Sequence, residues 1–170
     1  MKKIILIIFL IGIIAACSHK TPQEKEQNKI TNVEKQIFSK GDDFNADLAR
    51  ETLDEYEKYA KNYENDSLTP EYLFRASSLC TGLKDYLKAL AYLQKIEQKY
   101  PHFSKSAEVI FQHAFILDNY LQDKKGAKNY YQKFLEKYPK HYLSSEAEKA
   151  MLYLDFNDKE LIDMLESQNK

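Results

Sequence analysis

Cysteine is nearly missing from this 170-residue chain, which holds only Cys17 and Cys80. A disulfide framework is therefore excluded, and Cys80, set among apolar neighbours, reads as a small buried hydrophobe. Tryptophan is absent, and glycine and proline number four each. No glycine-rich loop that could cradle phosphate is present, nor a Gly-x-Ser-x-Gly nucleophile turn. Charge of one sign is not in excess either: 25 Lys and Arg face 26 Asp and Glu, so the electrostatic footprint of a nucleic-acid binder is missing. The four histidines, His19, His102, His113 and His141, share no ligand spacing with one another or with cysteine, which argues against a metal site. These absences point away from an enzyme and from any cofactor.

One hydrophobic run stands out, the thirteen apolar or small residues Ile4 to Ala16. It falls short of the roughly 20 residues that cross a bilayer. Lys2 and Lys3 precede it and Ile14-Ala15-Ala16-Cys17 closes it, the layout of an export signal with a small-residue cleavage site. A plain secretory peptide or a short anchor helix would share the first two features. The cysteine adds a third, and the segment resembles the bacterial lipobox. That resemblance implies lipidation of Cys17, removal of residues 1–16 and tethering to a membrane surface outside the cytoplasm. Ser18, where an aspartate retains some lipoproteins at the inner membrane, favours the outer membrane.

Residues 18–41 are polar and are expected to form a linker, on the order of 25–30 Å across if flexible. Ile30, Val33, Ile37 and Phe38 fall at helical spacing inside it, so a short amphipathic helix docked on the domain is the alternative. From residue 42 the pattern is helical throughout. Gly82, Gly126, Pro70, Pro101 and Pro139 sit where helices should start or stop. Phe44, Leu48, Tyr56, Tyr59 and Tyr63 mark a first helix. Thr69 is expected as the N-cap of the next, with Pro70 in its first turn, and Ser145 with Glu148 as a capping box further on. A last short helix is expected after Asn157, near Glu160.

The decisive signal is internal repetition. Ala89 to Pro101 and Ala127 to Pro139, offset by 38, agree at seven of thirteen positions, and Asp85 matches Asp123 and Ala76 matches Ala114. A helical hairpin cannot bury both its apolar faces alone, so stacked copies keep the residues that fit their neighbours. In the frame beginning at Pro70, Leu73, Ala76, Ser77, Asp85, Tyr86, Ala89, Leu93 and Pro101 resemble the tetratricopeptide repeat (TPR) signature. In the frame beginning at Glu108, Phe111, Ala114, Asp123, Ala127, Tyr131 and Pro139 do so, with Phe115 where a small residue is usual.

The resemblance implies an all-α fold, antiparallel hairpins stacked in a short right-handed solenoid over residues 42–156, with 157–170 as a C-terminal helix and tail. It also implies a groove lined by the first helix of each repeat. With the 38-residue offset, that groove should expose Glu71, Phe74, Ser78 and Thr81 in the first frame and Val109, Gln112, Ile116 and Asn119 in the second. Such grooves take an extended peptide or a helix from a partner protein. Lipidated cysteine, polar tether and the repeated Lys-Tyr-Pro endings are together similar to envelope lipoproteins and periplasmic proteins, among them the barrel-assembly lipoprotein and the Tol-Pal coordinator. The expected function is a lipid-anchored adaptor binding an envelope protein or peptide. The alternatives are an accessory subunit of outer-membrane assembly or of the Tol-Pal and division machinery, and a solute-binding lipoprotein or enzyme.

Overall fold

The computed structural model describes residues 20–39, 44–156 and 160. Cys17, the apolar run before it and nearly all of the expected C-terminal helix lie outside these residues. Seven helices are described: α1 (Pro22–Ser39), α2 (Ala46–Asn62), α3 (Thr69–Gly82), α4 (Tyr86–Lys99), α5 (Ser106–Asn119), α6 (Lys124–Lys137) and α7 (Ser144–Leu154). Each packs chiefly on the helices before and after it in sequence. This is an all-α stack of antiparallel pairs, a TPR-like helical solenoid, with no strand among the described residues.

The repeat extends further forward than sequence similarity shows. Tyr63, Tyr100 and Tyr138 end α2, α4 and α6 with nearly one geometry, φ of −130°, −127° and −133° and ψ of 52°, 60° and 53°. Each tyrosine N–H donates to the carbonyl four residues back. Counting back from them, Leu93 and Tyr131 correspond to Tyr56, Ile96 and Phe134 to Tyr59, and Ala89 and Ala127 to Thr52, all buried. Thr52 disposes of its hydroxyl by donating to the Leu48 carbonyl at 2.8 Å, so α2 is a second helix of a repeat whose small residue is polar.

Its first helix is α1, in the stretch expected as a linker. Ile30 and Val33 are buried against α2, and the rest of the docking is polar. Gln23 and Gln27 both donate to the hydroxyl of Tyr59, at 2.9 and 2.8 Å, and that hydroxyl donates to Asp66 at 2.9 Å. Lys29 reaches Glu55 at 2.6 Å. The alternative weighed for this segment, a helix docked on the domain, is what the structure contains.

Two cap assignments differ from expectation. Leu68 and Leu143 precede α3 and α7 and make no side-chain cap. The hydroxyls of Thr69 and Ser144 turn backward instead, donating to the carbonyls of Tyr63 and Tyr138 at 2.6 and 2.9 Å. They pin each helix start to the end of the preceding hairpin. Ser145 lies inside α7, two residues past the cap position at Leu143. Asp85 and Asp123 are caps in the ordinary sense, accepting from the N–H three residues on.

The core has two parts divided by α5. Val109 and Ile116 belong to the larger part with α1 to α4, whereas Ile110, Ala114 and Leu117 pack with α6 and α7. Cys80 is fully buried in the larger part, where burial pushes its thiol up to about 11, so it packs and does not react.

Candidate functional site

The first helices α1, α3, α5 and α7 lie side by side in the stack, and two clefts open along them. The first, about 660 Å³, is lined by Glu34 and Ile37 of α1, by Tyr56, and by Phe74, Arg75 and Leu79 of α3 among others. Its charges are closed on one another. Arg75 donates to Glu34 at 2.6 Å and to Glu71 at 2.9 Å, and Lys105 donates to Glu71 at 2.8 Å. Burial alone would raise the Glu71 carboxyl, but Lys105 and Arg75 outweigh it and hold it below the usual carboxylate value. The two cations also lie over rings, Arg75 at 6.0 Å from Tyr72 and Lys105 at 5.7 Å from Phe74.

The second cleft, about 400 Å³, lies between α5 and α7 over Tyr131 of α6. Phe111, Phe115, Tyr153 and Phe156 supply its aromatic walls, and Asp118 and Glu146 its acids. Burial pushes the Asp118 carboxyl up, with Tyr131 and the charge of Lys124 opposing. The Tyr131 hydroxyl donates to Asp118 at 3.5 Å, at the limit of a hydrogen bond.

The residues expected to form the groove divide. Glu71, Phe74 and Gln112 are half-buried, and Ser78 and Asn119 are exposed, on this row of helices. Gln112 donates to the Ser78 hydroxyl at 3.4 Å, bridging α3 and α5. Val109 and Ile116 do not face a groove: both have 0% exposure and fill the core between α5 and the helices before it. The cause is one inserted residue. α5 starts 37 residues after α3, but α6 starts 38 after α4. The extra residue lies in the turn between α5 and α6, where the Asp123 N–H reaches back six residues to Leu117, whereas Asp85 reaches back five to Cys80. The 38-residue offset read from the second helices therefore rotates α5 by one position. Val109 corresponds to buried Tyr72, and Phe115, not Ile116, corresponds to exposed Ser78.

A polar cluster that the sequence did not signal lies on the opposite side of α5. Glu97 of α4 is bonded by Lys133 of α6, and its second oxygen faces Nδ1 of buried His113 at 3.3 Å. The His113 ring stacks on Tyr130 with centroids 3.7 Å apart. Burial opposes ionisation of Glu97, but His113 and Lys133 hold its carboxyl below the ordinary value. The cluster ties three helices together at a buried position. His141 rests against Phe134 and lies 3.7 Å from Glu108, a turn contact between repeats. Among the described residues, no three His, Cys, Asp or Glu side chains come together in a metal-binding set. Nor is any described helix long and apolar enough to cross a membrane.

Residues 108–141 match the family model of the tetratricopeptide repeat. The matched stretch opens at Glu108, as the second frame does, and contains most of α5, all of α6 and the turn through His141. No curated protein matches the chain. A TPR-type repeat of this kind is a protein–protein interaction module.

Proposed function

We propose that this chain is a membrane-tethered, non-catalytic adaptor of the bacterial envelope that holds a partner polypeptide against α1, α3, α5 and α7. The observation that carries the reading is the row of first helices itself. It presents two clefts with half-buried aromatic walls, and the chemistry there is that of packing and charge pairing. The membrane half of the proposal rests on the sequence of residues 1–17, with Cys17 as the lipidation site and the outer membrane as the expected location. The mechanism is positional: acyl chains confine the module to a surface and raise its effective concentration for envelope partners.

The test is in-cell crosslinking from photoreactive residues placed at Ser78 and Phe115. Discrete protein adducts from both positions, weaker from a probe on the opposite side at Lys133, are expected. The captured protein's identity separates an outer-membrane assembly role from a division role. No captured protein, with a small molecule copurifying, sinks the adaptor reading and favours a solute-binding lipoprotein.

A further inference from the structure

We infer that the cleft between α5 and α7 is a receptor for a basic side chain, lysine or arginine, carried on a partner peptide with apolar flanks. The inference rests on the adaptor reading and names the chemistry of its ligand. It follows from comparing equivalent positions along the row of first helices. With the register fixed by the helix starts, Glu71, Glu108 and Glu146 are equivalent, as are Arg75, Gln112 and Ala150. In α3 the acid and the cation stand four residues apart and pair at 2.9 Å. In α5 the cation has become glutamine, and His141 lies 3.7 Å from Glu108. In α7 it has become alanine, and Glu146 has no ion pair among the described residues.

The rest of the cleft repeats this arrangement. At two other places in the stack a carboxylate near an aromatic ring is served by an internal cation: Glu71 by Arg75 and Lys105, over Tyr72 and Phe74, and Glu97 by Lys133, whose Nζ lies 5.0 Å from the Tyr130 ring centre. Between α5 and α7 the same set is built and the cation is missing. Asp118 is half-buried, makes no ion pair among the described residues and receives only the long bond from Tyr131. Burial first, then the nearby charges of Asp118 and Glu146, push the Tyr131 hydroxyl up. Lys124 lines the rim, exposed, and acts on Asp118 only through its field. Phe115 and Tyr153, 39% and 41% exposed, offer aromatic surface to a guanidinium or ammonium and apolar surface to its neighbours. The volume of about 400 Å³ lies within the range of ligand pockets, roughly 300–1,000 Å³.

The test uses the full chain in detergent and two fluorescent twelve-residue peptides that share apolar residues and differ only in carrying arginine or glutamate at the centre. Anisotropy should show the arginine peptide binding at least tenfold more tightly. The double variant Asp118→Asn, Glu146→Gln should abolish that preference. Ala150→Arg, which gives α7 the cation α3 already has, should weaken arginine-peptide binding at least tenfold while leaving thermal unfolding unchanged. Equal affinity for the two peptides, or a preference that survives both variants, overturns the inference. So does a peptide-free crosslink from position 115 to residues 157–170 or to a second copy, because the chain itself would then be the occupant. Capture of a cellular protein without arginine preference refutes this inference and leaves the adaptor reading standing; arginine preference without cellular capture does the reverse.

Discussion

Lys84 and Gln122 hold φ of 62° and 54°, a left-handed conformation that costs a residue with a Cβ about 1–2 kcal/mol. They occupy equivalent turns, yet they should respond differently to glycine. Lys84 is exposed and no side-chain bond holds it, so Lys84→Gly removes strain and gives up only unfolded-state entropy. Chemical denaturation should show a gain of about 0.5–1 kcal/mol. Gln122 donates to the carbonyls of Asp118 and Asn119 at 3.1 and 3.3 Å, closing the end of α5. Gln122→Gly loses those bonds along with the strain, and its net effect should be close to zero. A second residue-scale test concerns Glu97. Its folded carboxyl titrates below the ordinary 4.5 because His113 and Lys133 overcome the opposing effect of burial. The stabilisation is thus complete above that value and lost as pH falls through the lower, folded one. Glu97→Gln should lower stability at neutral pH by about 1–3 kcal/mol and flatten the decline below pH 4.5, measured as urea midpoints across pH. An unchanged slope would show that other carboxylates govern the acid limb.

At the scale of the element, α1 is held by a mixed seam of a few apolar and several polar contacts. It joins α2 through two buried aliphatic side chains and the glutamine bonds to Tyr59. Ile30, 1% exposed, is the larger of the two, and Ile30→Ala should cost about 2–5 kcal/mol. Hydrogen exchange should localise that loss to α1 first, because each repeat answers chiefly to its neighbours. Equal deprotection from α1 to α7 would mean that the stack melts as one unit. The polarity of this seam is also why composition concealed it: among the described side chains of α1 only Ile30 and Val33 are fully buried apolar residues, and the residues that dock it, Gln23, Gln27 and Lys29, are those that elsewhere make linkers. The helices α2 to α7 were legible because Leu, Tyr, Phe and Ala recur at helical spacing and proline or an aspartate cap punctuates them. The positions within α5 were not. Its apolar residues run nearly all round, since it serves two cores, and periodicity cannot then fix its rotation. Only the extra residue before Asp123 does so, and that is visible in the backbone bonds and not in the similarity of the second helices. Phe115 stood out in the sequence because the 38-residue register set it against Ser77; in the register of the helix starts it matches exposed Ser78, where a large aromatic residue supplies a wall of the second cleft.

At the scale of the whole molecule, a helix beginning at Pro22 changes what the proposed tether can do. A linker through residue 41 would have held the domain well clear of a membrane. Only Ser18 to Thr21 separate Cys17 from α1, and four residues at about 3.5 Å each reach on the order of 14 Å. A lipid on Cys17 would therefore keep the start of α1 within about a headgroup layer of the bilayer surface. The first-helix row then leads away from it. Along that row α3 and α5 stand between α1 and α7, so α7 is the first helix furthest along the stack from the tether. The charge-closed cleft would lie on the membrane side and the open acidic one on the far side, reachable by a partner that is not itself embedded. This predicts an ordered gradient in vesicles carrying the lipidated chain and a headgroup-labelled quencher. A fluorophore at Lys20 should be strongly quenched, one at Gln112 less, and one at Lys149 least. Cys17→Ser should release the protein from the vesicles and remove quenching at all three positions together. Quenching that is equal at Lys20 and Lys149 would mean the stack lies flat on the surface. Retention of the serine variant would mean that something other than Cys17 holds it there, and the positional mechanism would lose its anchor.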